Sequence, residues 1–419
     1  MVRIHNTRSG RIEEIAAGQA LRMYACGPDV RLRAHVGDLR ASVLSDLIRR
    51  LLERRRVRVV ACQGVSDLGV PPELARERAE AFAADAAALN VRPPEYAPRV
   101  GESAEPVIGL IAALLEKGHA YAAADGSVFF DVRAFPAYGE LSGGKPDQHA
   151  LADERKRFPG DWALWEPAGG EAAWQAPWGR GLPGPHVGCS ALSLRFLGAR
   201  IDVHTGGGDL LFPHHENVRA QSDAAAGHEV TRHWAHAGPV LFGGSASPPL
   251  SEVTEAGLDP LAVRMAFLQR RYREPLDLTW DALRAADGLV RRWRARVAEW
   301  SESVSAPMAT AYAERAESAF ADDLDTPAAL RVLRELELDA SVAPGAKFET
   351  FLHLDSLLGL DLSSDIGKPH VLPPGAGELL AARERAKEAG DAAAADRLGA
   401  ELADLGVRVT DAPEGQIWT

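Results

Sequence analysis

Two cysteines and a histidine that are far apart in the chain, Cys26, Cys189 and His214, each stand where an apolar segment gives way to a turn or a helix start. In a parallel sheet such edges converge on one crevice. Two thiolates and an imidazole would make a zinc site with one open position, which suits an ion that meets substrate better than a closed structural one. Spacing alone favours a plainer reading, two buried structural cysteines and an unrelated histidine. The third cysteine, Cys62, ends the apolar run RVRVVAC and reads as core.

Two further segments carry chemistry. Ala34–Asp38 (AHVGD) opens a long apolar-periodic stretch, so His35 and Gly37 fall at a helix N-terminus. Unpaired backbone N–H groups and the helix dipole there favour phosphate. On its own, His-x-Gly is more often an ordinary helix start with a surface histidine. Asp202–Asp209 (DVHTGGGD) runs into Phe212–Asn217 (FPHHEN), placing Gly206, Gly207 and Gly208 between a strand and a helix. Glycines let backbone approach a ligand closely. The alternative is a flexible loop, and the strand before it and the paired histidines after it weaken that reading.

The elements that must position these residues follow from hydrophobic periodicity. Strands end near Met23 and Tyr24, a Gly27–Pro28 turn follows, and a helix is expected from about Gly37 to Arg54, with Val43, Leu44, Leu47, Ile48, Leu51 and Leu52 on one face. The strand 56–62 completes a βαβ unit of a parallel sheet. Helices are expected at 71–89 and 105–117, a strand pair at 120–132, and a loop-rich stretch at 135–185. In that stretch Trp162, Trp165, Trp174 and Trp178 pack surface loops. A strand at 200–203 and a helix from His214 come next. The pattern is then helical throughout 260–361, followed by a helical hairpin at 377–405 and a small strand–turn–strand tail at 407–418.

Bulk properties set limits. A chain of 419 residues exceeds one ordinary domain, and its 46% hydrophobic and 25% charged content is that of a globular protein with a sizeable core. No run of about 18 apolar residues and no charged-then-apolar leader is present, so no membrane partner is expected. Three cysteines make no disulfide framework and point to a reducing, cytoplasmic setting. The net charge of −12 argues against general nucleic-acid binding but leaves room for a local basic patch.

At these same residues the chain resembles cysteinyl-tRNA synthetases over nearly its whole length. Met23–Pro28 (MYACGP) is similar to that family's Met-Tyr-x-Cys-Gly-Pro opening, and His35–Asp38 stands where the HIGH signature of class I synthetases lies. Leu89–Pro94, Glu116–Tyr121, Leu141–Gly144 and Ala163–Trp165 resemble its connecting segments. Gly206–Asn217 looks almost unmodified. Asp322–Pro327 (DDLDTP) resembles the start of its helical bundle, and the run from Ala394 through Asp411–Gly415 to Trp418 its anticodon-reading element.

The resemblance implies an α/β fold: a Rossmann-type catalytic domain over 1–259 with an insertion at about 90–185, a helical bundle over 260–365 and an anticodon-recognition-like tail over 366–419. It implies zinc on Cys26, Cys189 and His214. It assigns catalytic roles to His35 and Asp38. ATP with Mg²⁺ would be held by His35, Gly37, Gly206, Gly207, Gly208 and Asp209. Asp29, Arg31, Asp67, His186 and His204 would line the amino-acid pocket. Cysteine, or an altered amino acid, and tRNA through the tail are the implied partners.

Departures bear on the reaction. The family's fourth zinc ligand, a glutamate four residues after the histidine, is Val218 here; the mycothiol-pathway cysteine ligase lacks it too. The lysine-bearing KMSKS loop is replaced by Pro239–Leu250 (PVLFGGSASPPL), without lysine or arginine. Loss of a positioned cation costs roughly 10²-fold or more in such a transition state. Whether another arginine reaches in is open, Arg271 and Arg273 being the nearest candidates in sequence. Gly-Trp-His-x-Glu-Cys becomes Gly184–Cys189 (GPHVGC), Thr-Val-Tyr-Asp becomes Asp29–Leu32, and Thr-Asp-x-Asp-Asp becomes Ser66–Val70. The expectation is a ligase with altered substrate or acceptor. The alternatives are a housekeeping cysteine–tRNA ligase and a non-catalytic tRNA-binding paralogue.

Overall fold

The computed structural model describes residues 2–418 apart from 17, 19, 147–152, 171, 369–372, 374, 408, 413 and 414. Its centre is a four-stranded, all-parallel sheet. The strands are β1 (Ala20–Asp29), β2 (Arg58–Ser66), β3 (Ile201–Gly207) and β4 (Thr231–Ala237), in the order β4-β3-β1-β2. Parallel pairing sets the end of β1 beside the middle of β3, with Ala25 opposite Thr205, and the end of β3 beside that of β4, with Gly207 opposite Ala237. The strand ends that carry the candidate residues therefore share one edge.

Helix α1 (Val36–Arg54) crosses from β1 to β2 as expected. It forms because Val36, Leu39, Val43, Leu47 and Leu51 recur at helical spacing and are all buried. The Asp38 carboxylate accepts the N–H of His35 at 2.7 Å and closes the first turn. At the other end Arg56 turns the chain with φ 62. Its buried face also holds charge. Asp46 accepts Arg50 and Arg264, each at 2.6 Å, with Arg264 and Asp46 fully buried. Arg264 also donates to the carbonyls of Leu358 and Leu89. This network locks α1 onto the helical region that follows. Burial of ions is tolerated there because every charge has a partner.

Helix α2 (Pro72–Ala88) follows β2; α3 (Val187–Leu197) carries Cys189, and α4 (Glu216–Ala226) follows the paired histidines. The helix expected from His214 begins instead at Glu216, because 211–215 forms an irregular turn with Phe212 in extended backbone. The stretch 135–185 is more ordered than expected. Trp162–Pro167, Trp174–Ala176 and Gly179–Pro183 join Ala120–Ala122 and Val128–Phe130 in a five-stranded antiparallel sheet. The tryptophans belong to that sheet: Trp165 is fully buried, with the Trp174 and Trp178 rings 6.4 and 5.7 Å away. Strands of three to six residues are too short to show their period.

The region 260–361 is mostly helical, but Leu276–Leu278 is a short strand paired in parallel with Val240–Phe242. Helices Ala376–Glu388 and Ala392–Asp404 and the hairpin Val409–Ala412/Gly415–Trp418 close the chain. The Trp418 side chain lies outside the described residues.

Candidate active site

At the C-terminal edge of the sheet, β1 delivers Cys26, α3 delivers Cys189 and the turn before α4 delivers His214. Their donor atoms meet: Cys26 Sγ lies 3.8 Å from Cys189 Sγ and 3.4 Å from His214 Nε2. Tetrahedral zinc with Zn–S of about 2.3 Å and Zn–N of about 2.0–2.1 Å needs edges of about 3.8 Å (S···S) and 3.6 Å (S···N). The three residues fit that ion. The Nδ1 of His214 faces His186 Nδ1 at 2.9 Å, so the remote nitrogen is engaged and Nε2 points to the sulfurs, the arrangement that orients a metal-binding imidazole. Val218 is 2% exposed and shares an apolar cluster with Cys189, Leu192 and Val100.

The thiols are linked by a hydrogen bond. The Cys26 S–H donates to Cys189, which holds Cys189 well below the ordinary thiol range and raises Cys26. The nearby carboxylate of Asp209 raises Cys26 further. Cys62 is buried on β2, its thiol pushed up to about 12 by burial. It stays protonated and belongs to the core, as its sequence setting implies.

A row of histidines that sequence reasoning only partly found lies next to this cluster. His204 Nε2 and His215 Nε2 approach Cys26 Sγ at 3.5 and 3.1 Å. His215 Nδ1 meets His236 Nε2 at 2.7 Å, and His236 Nδ1 meets Thr7 Oγ1 at 2.8 Å. Burial lowers the pKa of His204 and His215, takes His236 down to about 4, and takes His186 down to about 3 with help from His214. These rings are neutral at pH 7 and donate through one nitrogen each. His215 and His236 were outside the expected set. Their signal was the parallel register, which sets Gly206 opposite His236, and no single segment of sequence displays it.

The nucleotide-side residues are placed unevenly. Gly206 is buried, and a Cβ on it would run into the His215 ring; it is a packing glycine. Gly207 and Gly208 are half-exposed, with Asp209 beside Gly207. The side chains of His35 and Asp38 are 44% and 58% exposed at the α1 start, open to a ligand. The helix N-terminus itself is covered: Gly37 N–H donates to Ser247 Oγ at 2.9 Å and Val36 N–H to the Pro248 carbonyl at 2.9 Å. The segment 239–250 thus covers the first N–H groups of α1.

Several residues expected in the pocket have partners of their own. Asp29 and Arg31 form an ion pair with each other at the exposed rim, which holds the Asp29 carboxyl below the usual range. Asp67 turns away to the Gly101 N–H, with Arg99 at 3.9 Å. Its buried carboxylate braces the loop 99–102. Arg271 and Arg273 pair with Asp325 and Asp323 in DDLDTP, so neither reaches the nucleotide side. Buried Arg40 donates to the carbonyls of Gly238 and Glu274 and fixes the base of the 239–250 segment.

A model of class I tRNA synthetase (C) catalytic domains matches residues 12–288, and one of cysteinyl-tRNA ligase anticodon-binding domains matches 370–418. The chain belongs to the cysteinyl-tRNA ligase family. A cysteine–tRNA ligase of Alkalilimnicola ehrlichii is 36% identical over 467 residues, covering 100% of this chain and 99% of its own. One of Halorhodospira halophila is 37% identical over 461 residues, with coverage of 100% and 99%. Among solved structures, Mycobacterium tuberculosis methionyl-tRNA synthetase in complex with methionyl-adenylate superposes with a TM-score of 0.56 at 16% identity, covering 90% of this chain and 96% of that one. A putative arginyl-tRNA synthetase of Campylobacter jejuni gives 0.53 at 13% identity, covering 83% and 92%. The chain is thus a class I synthetase-type ligase on an α/β fold. Among the described residues no helix is long and apolar enough to cross a membrane.

Proposed function

We propose that this protein uses ATP to activate a thiol-bearing amino acid, slowly, and that its substrate or acceptor has diverged from that of its cysteine–tRNA ligase relatives. The observation that carries this reading is the pairing of an intact Cys26–Cys189–His214 triad with a cation-free segment, Ser247–Pro248, on the start of α1. Zinc held by the triad supplies a Lewis-acidic position that takes a thiol as thiolate.

The chain's own residues do the rest. His186 orients His214, and neutral His204 and His215 present donors beside Cys26 without adding repulsive positive charge. His35, Gly207, Gly208 and Asp209 receive ATP with its Mg²⁺ once 247–248 lifts from α1. Asp38 holds the first turn of α1 and so positions His35. Asp29 and Arg31, neutralising each other at the rim, leave the amine and carboxylate of the substrate to be read differently from the family pattern. We read 1–259 as the catalytic part, 260–365 as the bundle and 366–419 as the RNA-reading tail, where Arg383 and Lys387 gather on Asp411. tRNA would dock through that tail from a cytoplasmic pool.

A non-catalytic tRNA-binding role leaves the fitted metal triad without a purpose. Amino-acid-dependent exchange of pyrophosphate into ATP decides between them. Exchange with a thiol amino acid supports the enzyme, and none with any of the twenty or with homocysteine overturns it.

A further inference from the structure

Strands β1 and β2 have two faces with different neighbours. Tyr24, Cys26 and Cys62 face α3 and the metal cluster, whereas Met23, Ala25 and Ala61 face α1 and α2, as the alternation of strand side chains requires. On that second face, between α1, α2 and residues 91–99, lies a cavity of about 440 Å³. Small-molecule sites run roughly 300–1,000 Å³. The room exists because α2 presents alanines to it: buried Ala86, half-buried Ala79 and exposed Ala83 at the mouth line the cavity where larger side chains would close it. Met23, Ala25, Ala61 and Phe82, with Cys62 of β2 reaching the wall from the other face, complete an apolar box.

The charged groups of the lining divide into two sets. Arg49 pairs with Glu53 and Glu95, Arg92 with Glu53, Arg99 with Glu102, and Asp46 with Arg50 and Arg264. Arg76 and Glu80 remain, both exposed, one turn apart on α2, with no ion pair or hydrogen bond among the described residues. One uncommitted cation and one uncommitted anion beside an apolar box match a zwitterion with an apolar tail.

We propose that this cavity is a second ligand site, distinct from the metal cleft, which takes a free amino acid with a large apolar side chain. The carboxylate meets Arg76, the ammonium meets Glu80, and the side chain enters the box. Because Met23 and Ala25 wall the cavity while Tyr24 and Cys26 lie on the opposite face of the same strand, occupancy bears on the metal cleft through β1.

The test is calorimetric titration of the full chain with L-phenylalanine, against 3-phenylpropanoate, which lacks the ammonium, and 2-phenylethylamine, which lacks the carboxylate. Saturable one-site binding is expected with a Kd below roughly 1 mM, and at least about tenfold weaker binding for each comparator. Arg76→Ala should weaken L-phenylalanine by about tenfold, and Ala86→Leu, which fills the box, should abolish it. Cys189→Ser should leave it unchanged. Should Ala86→Leu fail to fold, the exposed Arg76→Ala remains decisive. Absence of saturable binding, equal binding of the comparators, or binding lost in Cys189→Ser but kept in Arg76→Ala would each overturn the proposal.

Discussion

The hydroxyl of Ser247 accepts the amide N–H of Gly37 at 2.9 Å. That contact joins a segment without lysine to the helix start that the proposed function assigns to a nucleotide's phosphates. Gly37 has little room beside it: an added Cβ would sit 3.0 Å from the same hydroxyl. The Gly243–Gly244 turn, both residues at positive φ, lies in the middle of the segment, and Pro248–Pro249 stiffen its end. A nucleotide bound as proposed would compete with this contact for the same N–H group.

Restoring a cation should therefore matter more than removing the contact. Pro248→Lys keeps the carbonyl that receives Val36 N–H and adds a charge next to the α1 N-terminus. Pyrophosphate exchange should rise by about tenfold or more, since a positioned charge on a nucleotidyl transition state is worth at least that. Ser247→Gly frees the amide without adding charge and should mainly lower KM for ATP. If Pro248→Lys leaves the rate unchanged, the lost cation is not what limits activation.

Zinc content measured by elemental analysis checks the metal assignment. The wild type should carry one equivalent, and Cys189→Ser should lose most of it. Val218→Glu places a carboxylate four residues after His214 and should tighten zinc by at least about tenfold, or 1.4 kcal/mol. The metal-free variant should be less stable by about 1–3 kcal/mol, because the new carboxylate then lies unpaired among Val100 and Leu192.

The parallel sheet and α1 were legible in sequence because apolar residues at spacings of two and three to four must bury one face. The metal triad was legible as three candidates only. Its convergence depends on the β1–β3 register and on α3, neither of which any local pattern encodes. Other candidates have partners that no local pattern displays. Asp67 and the pair Arg271/Arg273 found partners of their own, Gly101 and the two aspartates of DDLDTP. A charge is drawn to whatever opposite charge the fold brings nearest, and sequence distance says little about that. The tryptophan-rich insert looked like loops because its strands are too short for period two to register.

Acid should destabilise the metal-free protein. Burial holds His186 at about 3 and His236 at about 4, below the ordinary value near 6.5. A group whose folded pKa is lowered binds its proton in the unfolded chain first. The stability it contributes is thus present above about pH 6.5 and is lost as pH falls towards 4. The slope is about 1.4 kcal/mol per pH unit for each histidine protonated only on unfolding. Denaturant midpoints between pH 7 and 5 should fall accordingly, and His236→Asn should flatten the decline. A flat profile over that range would show these rings already charged in the fold.

Breaking the buried ion network should cost more than any surface pair. Asp46→Ala leaves Arg264 and Arg50 uncompensated inside the protein, and an expected loss of about 3–5 kcal/mol is readable from urea unfolding. Arg3→Ala, at the exposed pair with Asp322, should cost less than about 1 kcal/mol. Equal effects would mean that α1 is not held from this side.

Amino-acid-dependent pyrophosphate exchange, scanned over the twenty amino acids and homocysteine with zinc-loaded protein, tests the central claim most directly. Slow exchange is expected, roughly 10²-fold below a synthetase with its lysine loop intact, confined to thiol side chains and abolished in Cys189→Ser. Fast exchange specific for cysteine would contradict the slow, diverged enzyme. Exchange with an amino acid lacking sulfur, surviving Cys189→Ser, would contradict thiol selection by the triad.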